Sequence, residues 1–404
     1  MGVNIRSAPR AEAAHEPRIS RRTVLTGSGA ALVVIALGST RRADTRGVFD
    51  PAGGQAFAPW TDWQAEGQDV PIALVSAAIL ASNAHNAQPW LFRVQDTSLD
   101  LFEDTSRSLG SLDPFGRELH IGLGCALENL LLAAPANGYE HKLLLGPDPA
   151  DPGHVATVAL SPGRAEETEL YSAIPHRHTN RYPFDTSRPV SNSSLTTLGA
   201  LNDEPDVRVH WFTSRAERDR IHELLAGAAA DINADPEQSY DNGPRWLRQD
   251  KQSIEHHRDG LTLDTMGLAA AAVLAAKMLP DPGPEEAGRA WLASVHEQAG
   301  TAGAFGILAV RDDRDRAQRI RVGRIWQRIH LWTTVNRLAA QPMNQLHERA
   351  DREAQLGLRP EYGAALEELL GDPGWRALFT FRIGHPTQQA PPSPRRPVPR
   401  VLTT

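Results

Sequence analysis

Cysteine is almost absent from this chain of 404 residues: Cys125 stands alone. One thiol excludes an intramolecular disulfide framework and any cysteine-rich zinc or iron–sulfur site. Lysine is nearly as scarce, confined to Lys142, Lys251 and Lys277, so arginine carries the positive charge. Acidic residues outnumber basic ones, 49 to 42, and no global positive field speaks for nucleic acid. The G-x-x-x-x-G-K-[ST] phosphate loop, the H-E-x-x-H zinc pair and the G-x-S-x-G nucleophile elbow are all missing. Gly122-Leu123-Gly124 starts like a dinucleotide fingerprint but lacks the third glycine and falls inside a helical stripe. His176 and His178 have no further ligand at metal spacing, and no metal is assigned.

The N-terminus reads as an address. A polar, arginine-containing start leads to Ser20-Arg21-Arg22-Thr23-Val24-Leu25 and a mildly apolar run from Thr26 to Gly38. That order describes a twin-arginine export signal over residues 1–42, and the run is too short for a comfortable transmembrane helix. The expected destination is the periplasm, cell wall or membrane surface, with the twin-arginine machinery as a partner, or the cytoplasm if the signal is unused. Residues 43–68 read as a linker, with Trp60 and Trp63 as docking points.

Periodicity begins at residue 72. Ile72, Val75 and Ile79 share a helical face, and Trp90–Val94 and Leu99–Leu101 alternate as strands. Leu119, Leu123, Leu127, Leu130 and Ala134 form a long helical stripe that stops near Asn137-Gly138. A strand at Val155–Leu160, a short helix over 165–174 and an Arg-, Pro- and Asn-rich loop over 177–190 follow. Later come a strand at Arg208–Phe212, a helix at Ala216–Ile232, a strand at Phe305–Val310, a helical stripe Ile325, Ile329, Trp332, Val335, and a strand at Leu378–Ile383. A long helix followed by a strand thus occurs twice, which reads as a weak internal duplication. The Arg395-Arg396 pair in the Pro-rich tail is most simply solvated charge.

Two segments carry chemistry. Ala81-Ser82-Asn83-Ala84-His85-Asn86-Ala87-Gln88-Pro89-Trp90 packs small polar donors into a helix-to-strand turn, able to offer amides to a planar polar ring or simply to cap a connection. Arg177-His178-Thr179-Asn180-Arg181 puts two guanidinium forks and a hydroxyl in one loop, which suits a phosphate or a solvated basic loop.

Together these segments resemble the nitroreductase superfamily of FMN enzymes, and most of all its fused, double-length Acg-like branch. The resemblance rests on Asn86-Ala87-Gln88-Pro89-Trp90, Arg177-His178-Thr179-Asn180-Arg181 and Glu128-Asn129-Leu130-Leu131. It extends through Asp113-Pro114-Phe115-Gly116-Arg117-Glu118-Leu119, Gln341-Pro342-Met343-Asn344-Gln345 and Phe381-Arg382-Ile383-Gly384. It implies an α+β helix–sheet–helix sandwich of two fused halves, 69–164 and 165–404, that mimic a dimer within a monomer. A candidate lid lies over 261–290 and a C-terminal arm follows. The resemblance also implies an FMN between the halves. Arg177, His178, Thr179, Arg181 and the late Arg395 would lie at its phosphate end. Ser82, Asn83, Ala84, Asn86 and Gln88 would line it from the first half, and Pro342, Met343 and Asn344 would approach its ring. The implied activity is hydride transfer from NAD(P)H to a nitroaromatic- or quinone-like acceptor, with no catalytic side chain assigned. The alternatives are a flavin-sequestering protein with little turnover and a cofactor-free structural domain. A mirror site in the second half would lack both motifs and face Asp203, Glu204 and Asp206, with no arginine in that segment to offset them. One flavin per chain is therefore expected.

Overall fold

The computed structural model describes residues 39–64 and 69–404. The twin-arginine segment, and with it Arg21 and Arg22, lies outside the described residues.

Two four-stranded antiparallel sheets organise the chain. The first contains β1 (Trp90–Val94), β2 (Ser98–Glu103), β3 (Tyr139–Leu145) and β4 (His154–Pro162), in spatial order β1-β2-β4-β3. The second contains β5 (Val207–Phe212), β6 (Ala304–Val310), β7 (Ala339–Pro342) and β8 (Arg376–Gly384), in order β5-β6-β8-β7. The two orders are the same. In each half a helix leads to the first strand, α1 (Val70–Ala78) and α3 (Asn192–Ala200), and a long helix joins the second strand to the third, α2 (Arg117–Ala136) and α6 (Arg316–Val335). The repeat suggested by a twice-used helix and strand is thus a repeat of whole topology.

The halves meet where α2 crosses α6. A Cβ added at Gly124 would lie 2.1 Å from the Ile320 carbonyl oxygen, and one added at Gly323 would lie 2.1 Å from the Ile121 carbonyl oxygen. Each glycine therefore admits the other helix's backbone, and the contact is reciprocal, as about a two-fold axis. The Cys125 thiol sits at this crossing, 3.2 Å from the Gly323 carbonyl, as a small buried group whose pKa burial pushes far up. One apolar core runs through the crossing, with Leu123, Leu127 and Leu130 of α2, Ile325, Trp326 and Ile329 of α6, Trp90 and Phe92 of β1 and Phe379 and Phe381 of β8. Helix α2 is long and apolar enough to cross a membrane, but it is buried on nearly every side within the protein.

The halves differ in what covers them. In the first, a short turn joins β1 to β2. In the second, residues 213–303 intervene between β5 and β6, with α4 (Arg215–Ala234) and α5 (Pro284–Gly300) among them. These two helices, with α7 (Gln345–Leu356) and α8 (Glu361–Leu370), pack a second core on the far face of the second sheet. Strands β3 and β7 escape the sequence patterns. β3 is an edge strand with mostly exposed side chains, and β7 is only four residues long.

The C-terminal tail is structured, contrary to the simple solvated reading of Arg395-Arg396. It crosses back to the first half, where the Phe92 N–H donates to the Val401 carbonyl (2.8 Å) and the Thr403 N–H to the Phe92 carbonyl (2.8 Å), extending the sheet beside β1. Arg395 and Arg396 are buried on the way.

Gly124→Ala and Gly323→Ala each force a methyl into a carbonyl and should cost about 1–3 kcal/mol of overpacking by urea unfolding. Gly199→Ala, with nothing within 4 Å of the added carbon, should be neutral or slightly stabilising.

Candidate functional site

The turn between α1 and β1 is held in an unusual backbone path. His85 (φ 49°), Asn86 (φ 54°) and Gln88 (φ 54°) all occupy the left-handed region without being glycine. Side chains fix it. The Asn83 carboxamide oxygen accepts the Gln88 N–H at 2.8 Å. The Asn86 amide donates to the carbonyls of Gly260 (3.1 Å) and Pro394 (2.8 Å). The Gln88 amide donates to the Arg258 carbonyl (2.8 Å), and its oxygen accepts the Arg396 N–H (2.8 Å). Asn86 and Gln88, expected to line a ligand, instead staple the turn to the tail and to the segment around residue 260. Their neighbours Ser82, Asn83 and Ala84 line a cavity of about 280 Å³.

That cavity lies between the halves. The first half contributes Ser82, Asn83, Ala84, His85 and, from α2, Glu118, Ile121, Gly122 and Cys125. Thr179 and Arg181 come from the arginine loop, Pro342 and Asn344 from the end of β7, and Trp326 and Phe379 from the core. Met343 is fully buried behind this wall and does not line it; its N–H bonds the Thr380 carbonyl at 2.8 Å. Asn344 is braced by its side-chain oxygen, which accepts the Thr380 N–H at 3.0 Å. Residues 233–300 supply Asn233, Asn242, Gly243, Met266, Trp291 and Gln298. Only Leu261, Met266, Pro284, Ala287 and Gly288 of these wall residues fall in the expected lid span, so the cover is broader than the sequence suggests.

Behind the turn lie arginines with no counter-charge. Arg177 donates to the Leu80 carbonyl (2.9 Å) and Arg395 to the Ala81 carbonyl (3.2 Å), so both guanidinium groups hang on the residues just before Ser82. Both are 2% exposed, and both keep an Nε with no partner. Arg181 is held by the Thr265 carbonyl at 3.0 Å. Among the described residues none of the three forms an ion pair. Burial pulls the pKa of Arg177 and of Arg181 down to about 10, and burial with repulsion from Arg177 holds that of Arg395 well below its usual value. Burial, then Arg177 and Arg395, depress His178 to about 3, so its ring is neutral. Buried cations without partners are costly, and the simplest remedy is an anion with several acceptor oxygens. Arg177, His178 and Arg395 stand outside the cavity wall: the first two within two residues of Thr179, and Arg395 on the Ala81 carbonyl beside Ser82.

The cavity wall also carries acid. Glu118 and Glu348 both line the cavity and are buried, and the Glu118 carboxyl adds to the burial that holds Glu348 in its protonated form. Burial raises Glu118 to about 7 and Glu348 well above the usual range, against the pull of Arg117, which is shared with Asp351 at 2.8 Å. Sequence patterning missed this pair because α2 and α7 lie far apart in the chain.

The mirror position is filled. The crossing pairs Gly124 with Gly323, so Gly122 corresponds to Arg321 and Cys125 to Arg324. Arg321 bonds Asp206, Arg324 bonds Glu204 (2.7 Å) and Glu128 (2.9 Å), and Arg328 bonds Asp203 (2.6 Å) and Glu128 (2.5 Å). The expectation that Asp203, Glu204 and Asp206 lack compensating arginines is therefore corrected: α6 supplies them. This strengthens the case for a single site, since the side chains equivalent to the cavity's small ones close the opposite face.

No family model matches the chain. It is 28% identical over 341 residues to "Putative NAD(P)H nitroreductase Rv3131" of Mycobacterium tuberculosis, covering 81% of this chain and 90% of that one. It is 36% identical over 119 residues to "Putative NAD(P)H nitroreductase acg" of the same organism, covering 29% of this chain and 36% of that one. Among solved structures it is similar to the FMN- and NADPH-dependent nitroreductase NfnB of Sphigopyxis sp. strain HMH, at 19% identity and a TM-score of 0.38, over 58% of this chain and 98% of that one.

Two outcomes are expected. Arg177→Met should leave the ligand-free protein as stable or more stable in urea, while abolishing any rise in melting temperature caused by inorganic phosphate in the unaltered protein. A carboxyl whose pKa is raised by folding stabilises fully below the unfolded value, near 4.3, and loses that contribution as pH climbs through its folded value. Glu118→Gln should therefore remove a loss of stability that the unaltered protein shows between pH ~4.5 and about 7, compared by urea unfolding across that window.

Proposed function

We propose that the chain is an FMN-dependent oxidoreductase of the nitroreductase superfamily, in its double-length branch, with one flavin bound between the two halves. The observation that carries this reading is the set of buried, unpaired arginines set directly behind a cavity walled by small and apolar residues from both halves. The Nε groups of Arg177 and Arg395, buried and without a hydrogen-bond partner, have donor chemistry that suits a phosphate monoester. The likeness to the mycobacterial proteins supports the same reading.

Arg177, Arg181 and Arg395 would bind the phosphate, with Thr179 beside it. Ser82, Asn83 and Ala84 would face the ring and ribityl chain from one side, and Pro342 and Asn344 from the other. Ser82 is fixed for this, since its hydroxyl accepts the Trp326 indole N–H (3.2 Å) and its own N–H meets the Gln327 side chain (3.2 Å). The Asn344 N–H, beside the cavity, forms no hydrogen bond among the described residues, leaving a donor for a ring nitrogen. A bound flavin supplies the hydride chemistry between NAD(P)H and an electron-poor acceptor. Trp326 and Phe379 keep water from that wall. The second reading, sequestration with little turnover, is favoured by the breadth of cover that residues 233–300 give the cavity.

The purified protein should show a flavin absorption spectrum and release one FMN per chain; a colourless protein that cannot be loaded would sink the reading, and two FMN per chain the single-site version. Rapid bleaching by NADPH in stopped flow supports the oxidoreductase, and retained, unbleached flavin the sequestering protein. We further propose export by the twin-arginine pathway. Replacing Arg21 and Arg22 by lysine should then leave the folded protein in the cytoplasm, as followed by fractionation.

A further inference from the structure

The arm before α1 makes contacts that the arginine loop alone does not require. Trp60 lies in a short helix, Pro59–Asp62, and is buried. Its indole N–H donates to the Ser393 carbonyl at 2.7 Å, which fixes the ring. The Arg395 guanidinium lies 4.8 Å from the ring centroid and that of Arg177 at 5.9 Å, while the His178 ring meets it edge-on at 4.6 Å. One indole thus adjoins Arg177, Arg395 and His178 together. The arm is tied on both sides of Trp60. The Arg395 N–H donates to the Ala56 carbonyl (2.7 Å), the Ala56 N–H to the Glu255 carboxylate (3.0 Å), and Trp63 packs on Tyr171 at 5.0 Å between ring centroids.

These contacts have an electrostatic logic. Two buried guanidinium groups repel each other, and the negative face of an aromatic ring is a weak counter-charge that needs no proton and no ion. The same buried ring lies against the cluster without being part of the cavity wall, and it keeps water from the guanidinium groups it covers. Charge-assisted hydrogen bonds strengthen when water is excluded and break less readily.

We propose that Trp60 is the outer wall of the phosphate subsite, so that the N-terminal arm sets how fast a phosphate-bearing flavin leaves. The inference rests on the FMN reading above and assigns to that site a residue outside both recognised motifs. It also gives a discrimination: the ring acts on the phosphate end, so FMN should depend on it and riboflavin should not.

The experiment uses the full chain loaded with FMN, and follows FMN release after dilution by the recovery of flavin fluorescence. Trp60→Leu keeps apolar volume and removes the aromatic face; Trp60→Phe keeps a face and loses the indole donor. Trp60→Leu should release FMN about tenfold faster or more, with Trp60→Phe closer to the unaltered protein and riboflavin affinity alike in all three. Melting temperatures of the ligand-free proteins separate a lost wall from a lost fold. Release unchanged in a folded Trp60→Leu protein would overturn the inference while leaving the cofactor reading intact. So would equal loss of FMN and riboflavin binding, since the ring would then not act on the phosphate. An unaltered protein that retains no FMN would instead overturn the cofactor reading itself.

Discussion

The crossing of α2 and α6 at Gly124 and Gly323 is the constraint from which the rest follows. Two helices that approach until a carbonyl would touch a missing methyl have only one relative placement. That placement sets the two sheets about a common axis and fixes which side chains face the grooves beside the crossing. On one side the residues are Gly122 and Cys125, small enough to leave room. On the other they are Arg321 and Arg324, long and charged, and the groove is occupied by their ion pairs with Asp206, Glu204 and Glu128. A symmetric scaffold becomes a single-site protein through substitutions at equivalent helix positions.

The two sides also differ in how charge is balanced. The filled groove is electrically complete, with Arg321, Arg324 and Arg328 opposite four carboxylates. The open one is not. Arg177 and Arg395 are nearly as buried as any core residue, yet are held by backbone carbonyls, an amide, the His330 ring and the face of Trp60, with no carboxylate among these. Fold stability alone would favour apolar residues there. Retaining unpaired guanidinium groups beside a cavity makes sense where a ligand completes the balance.

Much of the frame was legible in the sequence because its signals are local. Leu119 to Ala134 and Ile325 to Val335 gave the two crossing helices, and the alternation at Trp90–Val94 and Leu99–Leu101 and the strand-like runs at Phe305–Val310 and Leu378–Ile383 gave strands. Strand β3 was not legible, since its edge position exposes Glu140, His141, Lys142 and Leu144 and erases alternation. In the site, Ser82, Asn83, Ala84, Thr179, Arg181, Pro342 and Asn344 come together at the cavity, whereas Asn86, Gln88 and Met343 support it from behind. The motif around Asn86 marks the turn without saying which side chains face inward; that follows from three left-handed residues within four positions, which no spacing rule reveals. Glu118, Glu348 and Trp60 were invisible as site residues because each is brought in by an element distant in sequence.

Groups of both signs stand in and behind the cavity wall, and this bears on what the cavity can hold. Arginines without ion pairs stand behind the Ser82 turn, and the buried carboxyls of Glu118 and Glu348 line the wall. An anion throughout would be repelled by any ionised fraction of Glu118 and Glu348; a cation throughout would meet Arg177, Arg181 and Arg395. A molecule with an anionic tail and a neutral, planar, hydrogen-bonding head would satisfy both. Small side chains at Ala84 and Gly122 and the apolar faces of Trp326 and Phe379 suit the planar part. The polarity follows from two separate facts of the fold: the tail returns to bring Arg395 beside Arg177, and α7 lays Glu348 against the start of α2. Neither lies in the crossing itself, so the glycine contact sets where a ligand can sit and the flanking segments set which kind it is.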